Sequence, residues 1–128
     1  MRHDILSDVL SAIKNGDKSG KRETITCFSK LVKNVLLLLQ KHNYIGDFEY
    51  IDDGKGGKIR IQLLGDINDC SSIRPRFFVK KDEYEKWEKR FLPAIGLGFL
   101  IISTPQGIMT HIDAKKKGIG GTLLAYVY

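Results

Sequence analysis

The stretch from Leu97 to Tyr128 constrains the fold more strongly than any other part of this sequence. It opens with an apolar run from Leu97 to Ile102, which is typical of a central strand that is covered on both faces. Pro105 cannot donate a hydrogen bond to a neighbouring strand, so we expect the strand to end before it. The polar segment from Ser103 to Gly107 therefore predicts a turn, held between this strand and a final strand from Thr122 to Tyr128.

The turn suits a type I β-turn, with Pro105 at its second position and Gly107 at its fourth. Because glycine has no side chain, we expect Gly107 to let a flat ligand approach the backbone closely. A connection with no binding role is the alternative, since turn signals alone do not mark a site. The hydroxyls of Ser103 and Thr104 are weak evidence for a catalytic nucleophile, because only His111 is near them as a base.

A short basic helix is expected after the turn. Thr110 followed three residues later by Asp113 resembles a capping box, which predicts a helix from His111 to Lys117. Gly118 follows this segment, and glycine is the residue type that most often ends a helix. Three consecutive lysines in the last turn suit the negative end of the helix dipole, and attraction to a polyanion explains them equally well.

The charge balance of the chain bears on its partners. A length of 128 residues suits one compact domain or two small subdomains. The 21 Lys and Arg residues exceed the 15 Asp and Glu residues, which gives a formal net charge of +6 at pH 7. This excess favours a polyanionic partner, and a basic surface that is simply solvated is the alternative.

Cys27 and Cys70 are too far apart in the sequence for a zinc-binding pair, so we expect no metal. Cys27 lies in an apolar strand pattern, which predicts a small core residue. The apolar segment from Leu31 to Leu39 is too short to span a bilayer, and no signal peptide is recognisable. We therefore expect an intracellular protein in the reducing cytoplasm.

The first half of the chain predicts the order α-β-α-β-β. Asp4 suits the N-cap of the first helix, and Asn15-Gly16 is a typical stop for it. In the strand that follows, we expect Ile25 and Cys27 to point inward. The other predicted boundaries are a strand over 23–28, a helix capped by Ser29 that runs from Lys30 to about His42, and a hairpin of strands over 44–52 and 58–63.

A polar joint from Gly65 to Ser72 separates the two halves. It divides the chain into predicted subdomains over residues 1–66 and 67–128. The fold class that follows is α/β (α+β), with an N-terminal α-β-α-β-β subdomain. The C-terminal subdomain should be mainly antiparallel β with short helices.

The second subdomain should contain a strand over 77–79 and a helix from Asp82 to Leu92. Trp87 shares one face of that helix with Tyr84 and Phe91. An apolar stripe at this spacing faces a core, so we expect Trp87 to be buried rather than to stack on a nucleic-acid base.

Several motifs along the chain carry a resemblance to a known family. The most specific segment spans residues 98–109 and reads Gly-Phe-Leu-Ile-Ile-Ser-Thr-Pro-Gln-Gly-Ile-Met; residues 114–121, Ala-Lys-Lys-Lys-Gly-Ile-Gly-Gly, follow at the right interval. With these segments the chain resembles the small-subunit ribosomal protein S8 family over essentially its whole length. The segments at 44–49 and 75–77, with Phe-Leu-Pro at 91–93, look like the archaeal and eukaryotic branch of that family.

This resemblance implies a two-subdomain protein that binds the central domain of small-subunit ribosomal RNA early in subunit assembly. The expected partners are that RNA and neighbouring small-subunit ribosomal proteins. The resemblance implies no catalytic activity, no cofactor, no small-molecule substrate and no membrane, and it places the protein on cytoplasmic ribosomes.

The resemblance also implies which residues bind RNA. The hydroxyl-bearing loop of the family contacts an irregular internal loop of an RNA helix and packs on an extruded base. The first helix of the family and the start of its second helix contact the sugar-phosphate backbone. Pro105 stands where the family often carries a hydroxyl residue, and it offers an apolar face to a base instead. The RNA-binding residues expected in this chain are Lys14, Asn15, Ser29, Lys30, Ser103, Thr104, Pro105, Gln106, Gly107, Lys115 and Lys116.

Two other functions are compatible with parts of the sequence. A free RNA-binding regulator of its own messenger RNA would use the same loop, so the residues do not distinguish it from a ribosomal component. A small nucleotide-handling enzyme would use the glycines at 118–121, but these precede a predicted strand instead of opening a helix. No carboxylate pair or metal-ligand cluster in the sequence supports the enzyme.

Overall fold

The computed structural model describes residues 5–52, 54, 57–73, 76–94 and 96–128. These residues form four α-helices and two antiparallel sheets, which confirms the predicted mixed α/β class. The chain divides into two compact units, Met1–Asn68 and Asp69–Tyr128.

The first unit places two helices on one face of a three-stranded sheet. The strand order is β1-β3-β2, and both pairings are antiparallel. Strand β3 alternates exposed and buried residues along its whole length, as predicted, so one face of the sheet is covered. The elements are α1 (Ile5–Lys18), β1 (Glu23–Cys27), α2 (Lys30–Lys41), β2 (Ile45–Ile51) and β3 (Lys58–Leu63), which confirms the α-β-α-β-β order.

The first helix extends further than the sequence predicts. The stop expected at Asn15-Gly16 is wrong, because α1 continues to Lys18. Gly16 is buried, and a Cβ atom there would lie 2.6 Å from the Cδ1 atom of Leu63. Glycine at this position therefore lets the helix approach β3 closely. The predicted N-cap, Asp4, lies outside the described residues.

The face of strand β1 that is buried is the opposite of the face that the sequence predicted. Ile25 is 51% exposed and Cys27 is exposed, so the prediction that Cys27 is a core residue is wrong. Thr24 pairs with Ile61 and Thr26 pairs with Ile59, and both isoleucines are buried. Because directly paired residues point to the same face, the two threonines face inward.

Asp17 lies in the last turn of α1, beyond the stop predicted at Asn15-Gly16. Its Oδ1 atom accepts a hydrogen bond of 3.0 Å from the Gly65 amide, and its Oδ2 atom accepts one of 3.0 Å from the Ile67 amide. This single carboxylate therefore fixes the segment that leaves β3.

The second unit is built around a five-stranded antiparallel sheet. Its strand order is β4-β8-β6-β7, and β5 also pairs with β8. The polar joint predicted as far as Ser72 is wrong in part, because β4 lies within it and Cys70 is buried. The elements are β4 (Cys70–Ser72), β5 (Phe78–Val79), α3 (Tyr84–Phe91), β6 (Phe99–Thr104), β7 (Gly107–Thr110), α4 (His111–Lys117) and β8 (Gly121–Val127).

One face of this sheet carries the hydrophobic core of the unit. Leu100 and Ile102 of β6 pack with Leu123 of β8 and with the side chains of Tyr84 and Trp87. Trp87 is buried, as the helical spacing predicted. The long apolar run of β6 is therefore explained by its position in the middle of the sheet.

The predicted helix caps of α2 and α4 are confirmed. The Ser29 hydroxyl accepts the Val32 amide at 3.1 Å, and the Thr110 hydroxyl accepts the Asp113 amide at 3.2 Å. Gly118 ends α4 in the left-handed conformation, with φ of 67°. Short polar side chains at these positions satisfy amides that have no partner within the helix.

Gly121, at the start of β8, allows a close approach that a mutation should disturb. A Cβ atom there would lie 2.5 Å from the Ser103 carbonyl oxygen and 2.6 Å from Ile102 Cγ2. Because backbone atoms cannot rotate away, we expect Gly121→Ala to lower the free energy of unfolding by about 1–3 kcal/mol. Urea denaturation measures this change.

Gly46→Ala is the matched control for that measurement. The three atoms nearest to a Cβ atom at residue 46 all belong to the exposed side chain of Gln62, which can rotate away at the cost of one exposed hydrogen bond from the Asp47 amide. We expect a change below about 0.5 kcal/mol, as for most surface substitutions. Equal losses in the two variants would contradict the steric role of Gly121.

Candidate nucleic-acid interface

The predicted turn is the tip of a tight hairpin between β6 and β7. Thr104 pairs with Gly107, so only Pro105 and Gln106 lie between the paired residues. The strand ends before Pro105, as predicted, although β6 runs through Thr104 and the turn therefore begins later than the predicted Ser103. The expectation that β6 and the last strand flank the turn is incomplete, since β7 forms its second side.

The Thr104 hydroxyl closes this turn. Its Oγ1 atom donates to the Gly107 carbonyl at 2.7 Å and accepts from the Gln106 amide at 3.1 Å. Thr104 is only 8% exposed. Its proton and one of its lone pairs are therefore used within the hairpin, which makes Thr104 a residue that holds the tip in one conformation.

The tip itself presents backbone to the solvent. Pro105, Gln106 and Gly107 are exposed. Gly107 has φ of 117°, a conformation that favours glycine, and a Cβ atom there would meet nothing within 4 Å. The absence of a side chain therefore leaves open space against the main chain, as a flat ligand requires.

Register places four side chains in one row beside the tip. Ser103 pairs with Ile108 on β7 and with Thr122 on β8, and Thr122 pairs with Phe78 on β5. Directly paired residues point to the same face of a sheet, and these alternate with the core residues Ile102, Val79 and Leu123. We call Phe78, Thr122, Ser103 and Ile108 the cross-strand row.

The cross-strand row combines two hydroxyls with an exposed aromatic ring. Phe78 is 67% exposed, and Ser103, Thr122 and Ile108 are half-buried. Sequence reasoning missed Phe78 and Thr122, because they are distant from Ser103 in the chain and only strand pairing brings them to it. The one available signal was the alternation of Phe78 with the apolar Val79.

The lysines of α4 are not equivalent. Lys115 forms an ion pair with Glu88 of α3, whose Oε1 atom also lies 3.2 Å from His111 Nε2. Lys116 and Lys117 are exposed, and no ion-pair partner for either lies among the described side chains. Lys115 therefore has a structural partner, while the side chains of its two neighbours are exposed to solvent.

His111 lies buried beneath this ion pair in its neutral form. Its Nδ1 atom accepts a 3.0 Å hydrogen bond from the Leu100 amide, which leaves the proton on Nε2, facing Glu88. Burial lowers the pKa of His111 below its ordinary value of 6.5; nearby Glu88 acts in the opposite direction and Lys115 in the same one. Its role here is to tie β6 to α3 and α4.

The remaining predicted residues belong to the first unit. Lys14 is half-buried and Asn15 exposed, both toward the end of α1. Ser29 caps α2, and Lys30 is the exposed first residue of that helix. Helix α2 contains three lysines and no acidic residue, so all the charges that it carries are positive.

The described parts of the chain contain neither a metal-ligand cluster nor a membrane-spanning helix. No group of three His, Cys, Asp or Glu side chains there could hold a metal ion. None of the four helices is both long enough and apolar enough to cross a bilayer.

Comparison with known proteins gives the family. The family model described as ribosomal protein S8 matches residues 4–128. The chain belongs to the ribosomal protein S8 family. It is 54% identical over 126 residues to small ribosomal subunit protein uS8 of Pyrobaculum neutrophilum, which covers 98% of this chain and 97% of that protein. The protein of the same name from Pyrobaculum arsenaticum is 55% identical over the same coverage, so the archaeal affinity expected from the sequence is confirmed.

The buried His111 makes stability depend on pH. The unfolded chain binds a proton at this residue below about pH 6.5, whereas the folded chain resists it. We therefore expect the contribution of His111 to the free energy of unfolding to be constant above pH 6.5. Below pH 6.5, the free energy of unfolding should decrease as the pH falls. Urea denaturation between about pH 7.5 and pH 5 measures the change.

Two variants assign that pH dependence. His111→Asn keeps an acceptor for the Leu100 amide and removes the titration, so the decrease below pH 6.5 should become smaller. His111→Gln also replaces the imidazole with an amide that cannot titrate, so it should reduce the decrease in the same way. A decrease that survives in the first variant would show that another group titrates.

Proposed function

We propose that this chain is a structural component of the small ribosomal subunit, where it binds the central domain of the ribosomal RNA. Membership of the ribosomal protein S8 family supports the proposal, and so does the name of the two relatives. The net charge of +6 suits an RNA partner. The observation that best supports an RNA-binding site is the hairpin tip. There, exposed backbone lies beside two hydroxyl groups and a solvent-exposed aromatic ring.

The hairpin would recognise an irregular region of RNA. Base edges in a regular RNA helix lie in a deep groove, so proteins read internal loops, extruded bases and 2′-hydroxyls instead. Ser103 and Thr122 can donate to and accept from a ribose hydroxyl. Phe78 offers a face on which an extruded base stacks, and Gly107 lets that nucleotide approach the main chain. Because Thr104 already holds the tip, little ordering cost remains for binding.

The basic residues would position the protein on the RNA backbone. Lys14, Asn15, Ser29 and Lys30 of the first unit contribute contacts to phosphates and riboses, which fix register without reading sequence. In the second unit, Lys116 and Lys117 contribute more than Lys115, because Lys115 is paired with Glu88. Neighbouring ribosomal proteins are the other expected partners, on cytoplasmic ribosomes.

A catalytic role is not part of this proposal. The glycines of 118–121, which resemble a phosphate-binding loop, have structural uses. Gly118 ends α4, and a Cβ atom at Gly120 would lie 2.5 Å from the Val79 carbonyl oxygen. Strand β8 follows these glycines, whereas a phosphate-binding loop opens a helix. Binding of the chain to its own messenger RNA would use the same surface, and fractionation of ribosomal subunits measures how much of the chain is free.

Gly107→Ala tests the open approach to the hairpin tip. A methyl group there occupies the space in front of the backbone. We expect affinity for a central-domain RNA fragment to fall roughly tenfold, the effect of losing about 1.4 kcal/mol of contact, in a filter-binding assay. Gly96→Ala is the matched control, because Gly96 has φ of 82° and equally open space around it. Equal RNA affinity for the two variants would show that the hairpin tip is not part of the interface.

Ser103→Ala and Thr104→Val separate contact from positioning. Loss of the Ser103 hydroxyl should lower RNA affinity by about 2- to 10-fold, the value of one hydrogen bond, with unchanged stability. Thr104→Val breaks both bonds that close the turn, so it should lower affinity and also destabilise the fold by about 1–3 kcal/mol. Thermal unfolding and filter binding measure the two effects, and the same pattern in both variants would contradict these roles.

Lys14→Ala and Lys30→Ala test the backbone contacts. Each should reduce the slope of log K against log salt by about one, because one phosphate contact is lost. Lys115→Ala should change the slope less, since that ammonium group already has Glu88 as a partner. Lys41→Ala, at the other end of α2, is the control and should leave the slope unchanged. Slopes that do not differ among the four variants would reject this assignment.

A further inference from the structure

The first unit contains an aromatic cleft that no RNA contact described above uses. Its volume is about 370 Å³, within the range of small-ligand sites. Buried Ile59 of β3 contributes to its apolar lining, and Phe28, Phe48 and Tyr50 supply three aromatic rings. Lys33 of α2 completes the lining. Three rings and one ammonium group around a cleft of this size suit a flat, electron-rich and negatively charged ligand.

Tyr50 is held in place although it is exposed. Tyr50 as a whole residue is 53% exposed. Its ring nevertheless contacts the Phe28 ring edge-on, with ring centroids 4.8 Å apart and an interplanar angle of 70°. On another side, any side chain at Gly57 would collide with the Tyr50 ring. A large aromatic side chain that is both solvent-exposed and fixed by its neighbours is prepared for stacking, because little rotamer freedom is left to lose.

The charge around the cleft favours an anionic partner over a neutral or basic protein surface, and the aromatic rings favour a nucleic-acid base over a carboxylate. The described residues that line the cleft include a lysine and no carboxylate. Lys30 lies three residues before Lys33, so both side chains lie on the same side of α2. Phe28 and the proposed RNA contacts Ser29 and Lys30 are consecutive residues, so the cleft continues the surface already assigned to the RNA backbone.

We infer that this cleft binds one unstacked base of the small-subunit ribosomal RNA, with the base against Tyr50 and Phe28. The adjoining phosphate then lies toward Lys33 and Lys30. This inference rests on the proposed function and adds a base-binding site in the first unit to the hairpin of the second. Aromatic stacking tolerates any base, because every base has a π-face, so the cleft selects an extruded nucleotide without selecting its identity.

The test uses the full-length protein and intact small-subunit ribosomal RNA. Tyr50→Leu keeps an apolar side chain and removes the ring, so affinity should fall by about 5- to 100-fold, the value of one stacked base. Tyr50→Phe keeps the ring and should stay within about twofold of the unchanged protein. Lys33→Ala should reduce the slope of log K against log salt by about one, and Lys33→Arg should restore it.

Ile25→Ala is the matched control. Ile25 is as exposed as Tyr50 but pairs with Arg60, so it lies on the opposite face of the same sheet. Its truncation should leave RNA affinity unchanged. Ultraviolet crosslinking of assembled subunits, with the crosslinked peptide identified by mass spectrometry, should join Tyr50 or Phe28 to a nucleotide.

The outcomes distinguish this inference from the proposed function. If the protein binds the RNA and Gly107→Ala weakens binding, but Tyr50→Leu behaves like Ile25→Ala, the inference is overturned and the function stands. A crosslink from Tyr50 to a neighbouring protein also overturns it, because the cleft would then be a protein contact. If the unchanged protein does not bind the RNA, both are overturned.

Discussion

The pairing register of β6 is the constraint on which the second unit depends. This strand is buried on both faces and bonded on both sides, to β7 and to β8. Its pairing with β8 shifts between Ile101 and Ile102, where Leu124 is passed over. The shift puts Thr122 beside Ser103 on one face of the sheet and Leu123 beside Ile102 on the other, which is the face that packs with Tyr84 and Trp87. A shift by one residue would exchange the two faces.

A rigid surface follows from that register. The Thr104 hydroxyl closes the hairpin, Gly121 lets β8 approach β6, and His111 links the β6 backbone to α3 and α4. None of these groups needs to touch RNA to matter for binding. They keep the tip and the cross-strand row in one arrangement, which lowers the entropy that an RNA partner would otherwise have to restrict. Variants at such positions are therefore expected to alter affinity and stability together.

The two proposed RNA surfaces differ in how they use side chains. On the second unit, small hydroxyls and bare backbone dominate, which suits hydrogen bonding to riboses and to an extruded nucleotide. On the first unit, a helix whose only charged residues are lysines borders an aromatic cleft, which suits phosphate contacts and stacking. Together they would combine a shape-selective contact with an electrostatic one, as expected for a protein that recognises folded RNA.

The sequence by itself determined the fold class, the α-β-α-β-β order, both helix caps, the ends of α4 and the burial of Trp87, because these depend on local periodicity and on residues close in the chain. It also indicated the hairpin tip through Pro105 and Gly107. Only the tertiary structure decided which face of β1 is buried, that α1 continues through Gly16, that Lys115 is paired with Glu88, and that Phe78 and Thr122 join Ser103. Each of these depends on a partner distant in sequence, and neither alternation nor composition contains the phase and register that bring such partners together.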